Sequence, residues 1–132
     1  MLPDMKRNPP PLATGYRLTV SAIPHDEGQA PKTRFTLETE QLFASFVYDL
    51  SVEEKRDAQH IQFRILGLKP PQLSIPSAGR ASFEREYDNL SGPFHVTIEN
   101  LDGRKNTFKL KVTKDKVTVL QSPREKFIDL VL

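Results

Sequence analysis

Two stretches, Phe94 to Asn100 and Thr107 to Val112, alternate apolar and polar side chains on either side of Asn100-Leu101-Asp102-Gly103. Successive side chains on a strand point to opposite faces, so the pattern predicts two half-buried strands joined as a hairpin. Parity then sets the register. A two-residue Asp102-Gly103 turn would place Ile98 opposite Thr107 and send the two apolar rows to opposite faces, which a one-sided core forbids. A three-residue loop Leu101-Asp102-Gly103, with the glycine left-handed in a G1 bulge, pairs Val96 with Phe108 and Phe94 with Leu110. Glu99 then faces Lys105, and Thr97 faces Thr107, on the solvent side.

The same period runs through much of the chain. Tyr16 to Ile23 sets Leu18, Val20 and Ala22 against Arg17, Thr19 and Ser21, and Thr33 to Thr39 sets Phe35 and Leu37 against Arg34, Thr36 and Glu38. In His60 to Leu68 the apolar row is Ile61, Phe63 and Ile65; Lys69-Pro70-Pro71 ends that strand, because proline cannot donate to a ladder. Ala81 to Leu90 places Phe83 and Tyr87 on one face with Arg85 between them, and Glu84, Glu86 and Asp88 on the other. After a turn at Lys114-Asp115, Val117 and Val119 continue the buried row in Val117 to Gln121.

Two segments fit both periods. Leu42, Phe43, Phe46, Val47 and Leu50 make a helical stripe, while Leu42, Ala44, Phe46, Tyr48 and Leu50 make a strand face. The strand is preferred, because Ser51 with Glu54 forms a capping box that starts a separate short helix or turn just afterwards. Helix over 40–58 would make the class α+β. At the end of the chain, Ser122-Pro123-Arg124-Glu125 is a second capping box, with proline at the first helical position, set against a preferred strand over Phe127 to Leu132.

The expected class is therefore mainly β, a single antiparallel β-sandwich, immunoglobulin-like or jelly-roll-like, with at most one or two short helices. It spans residues 15–132 and follows a disordered proline-rich tail, 1–14, that holds Pro9-Pro10-Pro11. The run from Ala81 to Val112, a strand, Gly92-Pro93 and a hairpin, resembles the closing strands of immunoglobulin-like domains. The cysteines and tryptophan of true immunoglobulin domains are missing, so the resemblance names no family.

A length of 132 residues suits one domain with a sizeable core, and 11 prolines against 6 glycines favour short segments joined by turns. With no cysteine there is no disulfide and no thiolate chemistry or thiolate zinc site. No apolar run approaches the roughly 20 residues of a spanning helix, and Met1 to Arg7 lacks the apolar core of a secretory signal, so a cytoplasmic protein with no membrane partner is expected.

Catalytic patterns are sparse. His25, His60 and His95 are far apart with no ligand motif around them, so no metal or other cofactor is expected. Glu84, Glu86 and Asp88 would stand about 7 Å apart, near the separation of glycosidase acid/base pairs, but a solvated outer strand makes the same pattern. There is no Gly-x-Ser-x-Gly elbow, and the glycines are dispersed singly. An enzyme is not expected.

Charge is uneven: Leu101 to Lys126 carries eight Lys or Arg against three Asp or Glu, and Phe35 to His60 carries six acids against two bases. Lysines on edges and solvent faces keep sheets apart, and such asymmetry also orients partners. Arg104, Lys105, Lys109, Lys111, Lys114 and Lys116 surround Phe108, but that ring falls in phase with Leu110 and Val112, which disfavours nucleic-acid binding by base stacking. Arg85 on an apolar face must be paired, stacked or at an edge, and the sharper reading makes it a partner-binding hot spot.

Elimination leaves a non-catalytic binding or assembly module acting through protein–protein contacts. Its simplest form is a homo-oligomer in which the acidic segment meets the basic hairpins, and the partner-binding candidates are Phe83, Arg85, Tyr87, Lys105, Lys109 and Lys111. The alternative is a small-ligand or carbohydrate binder using the loops Pro24 to Pro31 and Pro70 to Pro76.

Overall fold

Alternating burial runs through Tyr16–Val20, Thr33–Thr39, Ile61–Ile65 and Lys105–Thr113 in the computed structural model, which describes residues 15–23, 28, 30–43, 48–70, 79–113 and 116–132. The strands are β1 (Tyr16–Ile23), β2 (Lys32–Phe43), β3 (Asp49–Asp57), β4 (His60–Lys69), β5 (Gly79–Asp88), β6 (Gly92–Glu99), β7 (Lys105–Thr113), β8 (Lys116–Gln121) and β9 (Ile128–Val131). Tyr16, Leu18 and Val20, Phe35 and Leu37, Ile61, Phe63 and Ile65, Val96 and Ile98, and Phe108 and Leu110 are each at most 1% exposed. These are the apolar rows that the period-two pattern picks out.

The hairpin has the register that parity demands. Val96 pairs with Phe108, Phe94 with Leu110, Thr97 with Thr107 and Glu99 with Lys105. Asn100 N donates to Arg104 O at 2.8 Å across the three-residue loop, and Gly103 sits at φ 88°, where only a residue without Cβ is unstrained.

Strand order is β8-β7-β6-β4-β3-β5-β2-β1-β9 in one sheet that curls into a half-barrel. The class is mainly β, but the sheet is mixed rather than antiparallel throughout: β1 with β9, β3 with β5 and β4 with β6 run parallel. Parity assigns each strand a buried face and is indifferent to the direction of its neighbour, so the period carries no information on this point. Among the described residues, β3 and β5 are joined by the single pair Asp49 and Ser82. Within the curl the half β8-β7-β6-β4-β3 and the half β5-β2-β1-β9 pack on one core, with Phe35 of β2 edge-to-face on Phe63 of β4 (5.9 Å between centroids) and Phe94 of β6 (6.2 Å).

Neither capping box starts a helix, and the described residues contain none. Ser51 and Glu54 lie inside β3, whose ladder with β4 satisfies the backbone groups that a cap would serve; the only irregularity is a register shift between Ser51 and Val52, opposite Gly67 at φ 138°. The α+β alternative is thereby excluded for residues 48–58. Ser122 to Phe127 is irregular and leads into β9, as the preferred strand reading has it. Residues 44–47, the tail 1–14 and most of the two proline loops lie outside the described residues. No helix is long and apolar enough to cross a membrane among those described.

Candidate functional site

The six candidate residues fall into two groups on different parts of the molecule. Phe83, Arg85 and Tyr87 lie on the inward face of β5, in register with Leu37, Phe35 and Thr33 of β2, at the seam where β3 and β5 part. Side chains bridge that seam. Arg85 Nε lies 2.8 Å from Glu54 Oε1 of β3, and Tyr87 donates its hydroxyl to Glu54 Oε2. The Arg85 guanidinium sits 5.0 Å over the Phe83 ring, and Arg56 sits 4.8 Å over Tyr87. Phe83 itself packs on Phe63 at 5.5 Å. The cation on an otherwise apolar face is thus both paired and stacked, which offsets the cost of its partial burial.

Burial first, and then the Glu54 carboxylate, push the Tyr87 phenol above its ordinary value of 10.0; Tyr16 is raised by burial and then by the charge of Asp102. Above pH 10.0 the unfolded chain releases the Tyr87 proton and the folded chain keeps it, so folding then carries a proton uptake. Stability is whole below that pH and falls as pH rises beyond it, by up to about 1.4 kcal/mol per pH unit for one proton. In Tyr87→Phe the alkaline fall should flatten, read from denaturant unfolding across this range. An unchanged slope would mean that Tyr87 does not hold its proton in the folded state.

Lys105, Lys109 and Lys111 project from the outer face of β7, out of phase with the buried Asn106, Phe108, Leu110 and Val112. Lys105 and Lys111 are exposed and Lys109 is half-buried. Across the ladder, β6 places His95 beside Lys109 and Thr97 beside Thr107, while β8 places Gln121 beside Lys109, Thr118 beside Lys111 and Lys116 beside Thr113. Glu99 faces Lys105 in register, yet its carboxylate reaches toward Arg64 at 3.9 Å. Among the described residues, none of Lys105, Lys109, Lys111 and Lys116 has an ion-pair partner, whereas Arg17, Arg34, Arg64, Arg85 and Arg104 each have a carboxylate. Phe108 is fully buried, so its ring is unavailable on this face.

Beside the lysines, His60 Nε2 and Thr97 Oγ1 are 2.8 Å apart, and Thr97 is linked to Thr107 at 2.8 Å. The His60 and His95 rings lie 6.3 Å apart, and His25 is outside the described residues. No group of three or more metal-ligating side chains occurs among the described residues. On the outer face of β5, Glu84 and Glu86 are bridged by Arg34 of β2 at 3.5 and 3.0 Å. A shared guanidinium holds the two carboxylates in one ion-paired ladder. A groove of about 490 Å³ lined by Gly15, Glu40, Arg104, Lys126 and Phe127 is open to solvent and carries both signs of charge.

One structural residue has no place among the sequence candidates. Asn106, in phase with the core row, is 3% exposed; its Nδ2 donates to Glu125 O (2.9 Å), and its Oδ1 accepts from Phe127 N (2.9 Å) and Ile128 N (3.2 Å). Those bonds tie the approach to β9 onto β7. An amide at a position that parity assigns to the core was the available signal, since a buried amide requires partners.

No family model, curated protein or solved structure matches the chain.

Proposed function

We propose that this chain is a non-catalytic binding or assembly module of the cytoplasm that acts through protein–protein contacts, with the outer lysine face of β6, β7 and β8 as its contact surface. The observation that carries this is clustering: Lys105, Lys109, Lys111 and Lys116, none with a carboxylate partner, stand together on the outer face of β7 and β8, whereas the other unpaired lysines among the described residues, Lys32, Lys55, Lys69 and Lys126, stand on separate segments. Like charges on neighbouring strands repel, so an acidic surface laid on them gains attraction and removes that repulsion. The field of such a patch also steers the encounter. A phosphate backbone would meet the same charges, but Phe108 is turned inward and offers no base a stacking platform. The seam residues Phe83, Arg85 and Tyr87 serve as support, because Arg85 already holds Glu54. In this reading the two halves act as the layers of an immunoglobulin-like or jelly-roll-like sandwich, which the contacts of Phe35 with Phe63 and Phe94 support.

The test is quantitative capture of proteins from native extract, and of an untagged copy of the chain, by tagged wild type, by Lys105→Glu/Lys109→Glu/Lys111→Glu and by Arg85→Ala. The triple variant should lose at least about tenfold in specific capture, as expected when a buried or facing charge pair is reversed, while Arg85→Ala keeps it. Equal capture by all three proteins would overturn the proposal.

A further inference from the structure

We infer that the lysine face is proton-linked: an acidic partner binds it together with protons taken up by His95 and His60, so the contact tightens as pH falls. This rests on the reading of the lysine face as a contact surface, and names its regulation. One row of side chains crosses four strands on the outer face of the sheet. Asp57 of β3 is in register with His60 of β4, His60 with His95 of β6, and His95 with Lys109 of β7. His95 is exposed, Lys109 is half-buried, and the two imidazoles lie 6.3 Å apart. Imidazole is the side chain that changes charge between about pH 5 and 8. From β7, Lys109 faces His95, with Thr107 and Lys111 one step along; from β4, His60 faces it, with Gln62 one step along. Farther out stand Asp57 and Lys55 on β3 and Gln121 on β8. Asp57 accepts from Gln59 N at 3.3 Å and has no ion pair among the described residues. It neighbours His60, which leaves His95 beside cations alone. Charging His95 next to Lys109 costs repulsion, and an acidic surface laid over the row offsets it. Proton and partner therefore favour each other's binding reciprocally.

His60 reaches the same face through hydroxyls. Its Nε2 lies 2.8 Å from Thr97 Oγ1, which lies 2.8 Å from Thr107 Oγ1. A neutral imidazole is free to accept at Nε2, but a protonated one donates from both ring nitrogens. Thr97, 5% exposed, then accepts from His60 and donates its own hydrogen to Thr107, whose hydroxyl hydrogen is left to face outward. Charging His60 thus sets a donor on β7 between Lys105 and Lys109, which occupy the flanking positions on that face. A carboxylate of the partner meets two ammonium groups and a hydroxyl along one strand, and donors to an ionised acceptor form the stronger class of hydrogen bond.

Calorimetric titration with poly-aspartate tests this from about pH 8 to about pH 5.5 at about 0.01 M salt, where charges are screened only beyond roughly 30 Å. Aspartate carboxylates, with an ordinary value of about 3.9, stay ionised throughout. Affinity should rise at least about fivefold as pH falls, the lower end of the usual coupling between two ligands. Heats in buffers of different ionisation enthalpy should show net proton uptake on binding. His95→Gln should lose most of the rise, and His60→Gln and Thr97→Val should each lose a smaller part. His25→Gln, which removes the remaining one of the three histidines, should keep it. Thermal melts of each variant at each pH establish that it folds. An affinity independent of pH, binding without proton uptake, or a full rise in His60→Gln/His95→Gln would overturn the inference. If binding is independent of pH yet lost in Lys105→Glu/Lys109→Glu/Lys111→Glu, the proton linkage fails and the proposed function stands. If poly-aspartate binds at no pH and capture from native extract is equal for all variants, both fail.

Discussion

Replacing Phe35 by alanine is expected to cost about 3–5 kcal/mol, the range for deleting a fully buried aromatic ring from a well-packed core. The ring is 1% exposed and lies edge-to-face on Tyr87 (5.4 Å), Phe63 (5.9 Å) and Phe94 (6.2 Å), so one side chain joins β5, β4 and β6 to β2. Each such ring pair contributes about 0.5–1.5 kcal/mol beyond the area it buries, and the void left behind is bordered by both halves of the sheet. Those halves share a single backbone pair at the β3–β5 junction among the described residues, so ring packing and the contacts of Glu54 with Arg85 and Tyr87 hold the seam. Against a total stability of about 5–15 kcal/mol, the variant should sit near the limit of folding. Urea unfolding with an unchanged slope and a strongly lowered midpoint is the expected result; a loss below about 1 kcal/mol would show that the halves are held by something other than this ring.

Asn106→Ala should cost about 2–4 kcal/mol, because it strands three backbone groups at once and each unsatisfied buried group costs about 1–3 kcal/mol, less where water reaches in. The amides of Phe127 and Ile128 lose their acceptor and the carbonyl of Glu125 loses its donor. Damage should be local before it is global. Hydrogen exchange is expected to accelerate through Phe127 to Leu130 and along the β1 edge that pairs with β9, while the β6–β7 ladder stays protected. Uniform acceleration would instead mean that Asn106 stabilises the whole sheet rather than the docking of β9.

What could be read from the sequence was local, and what could not was the choice of neighbour. The β6–β7 register followed from two apolar rows and one turn, because a slip by one residue would have turned Val96, Phe108 and Leu110 to solvent. The same logic found the inward rows of β1, β2 and β4. It had no purchase on β4 lying parallel to β6, since that pairing is decided by how the whole sheet curls over its core. Ser51 and Glu54 carried a local cap signal that the β3–β4 ladder overrode, and Glu54 became the counter-ion of Arg85 instead. Arg85 was recognisable as a residue in need of a partner; that the partner lay 31 residues upstream was a property of the seam. For the candidate contact surface, phase alone placed Lys105, Lys109 and Lys111 outside and Phe108 inside. Within residues 35–60 the fold sets arginines beside Glu38, Glu53 and Glu54 and leaves Glu40, Asp49 and Asp57 without an ion pair among the described residues, a division that counting charges along the chain does not show.

The lysine face can be tested most directly by titrating an acidic polypeptide, poly-glutamate, into isotopically labelled protein at low salt, diluted to where it sediments as a single copy, and following each backbone amide. Shifts should gather on Lys105–Thr113 and Lys116–Gln121 and on His95, leave β5 and β2 unmoved, and vanish when salt shortens the screening length to about 3 Å. Shifts centred on the groove beside Gly15 and Phe127, or spread evenly over the sheet, would contradict the account.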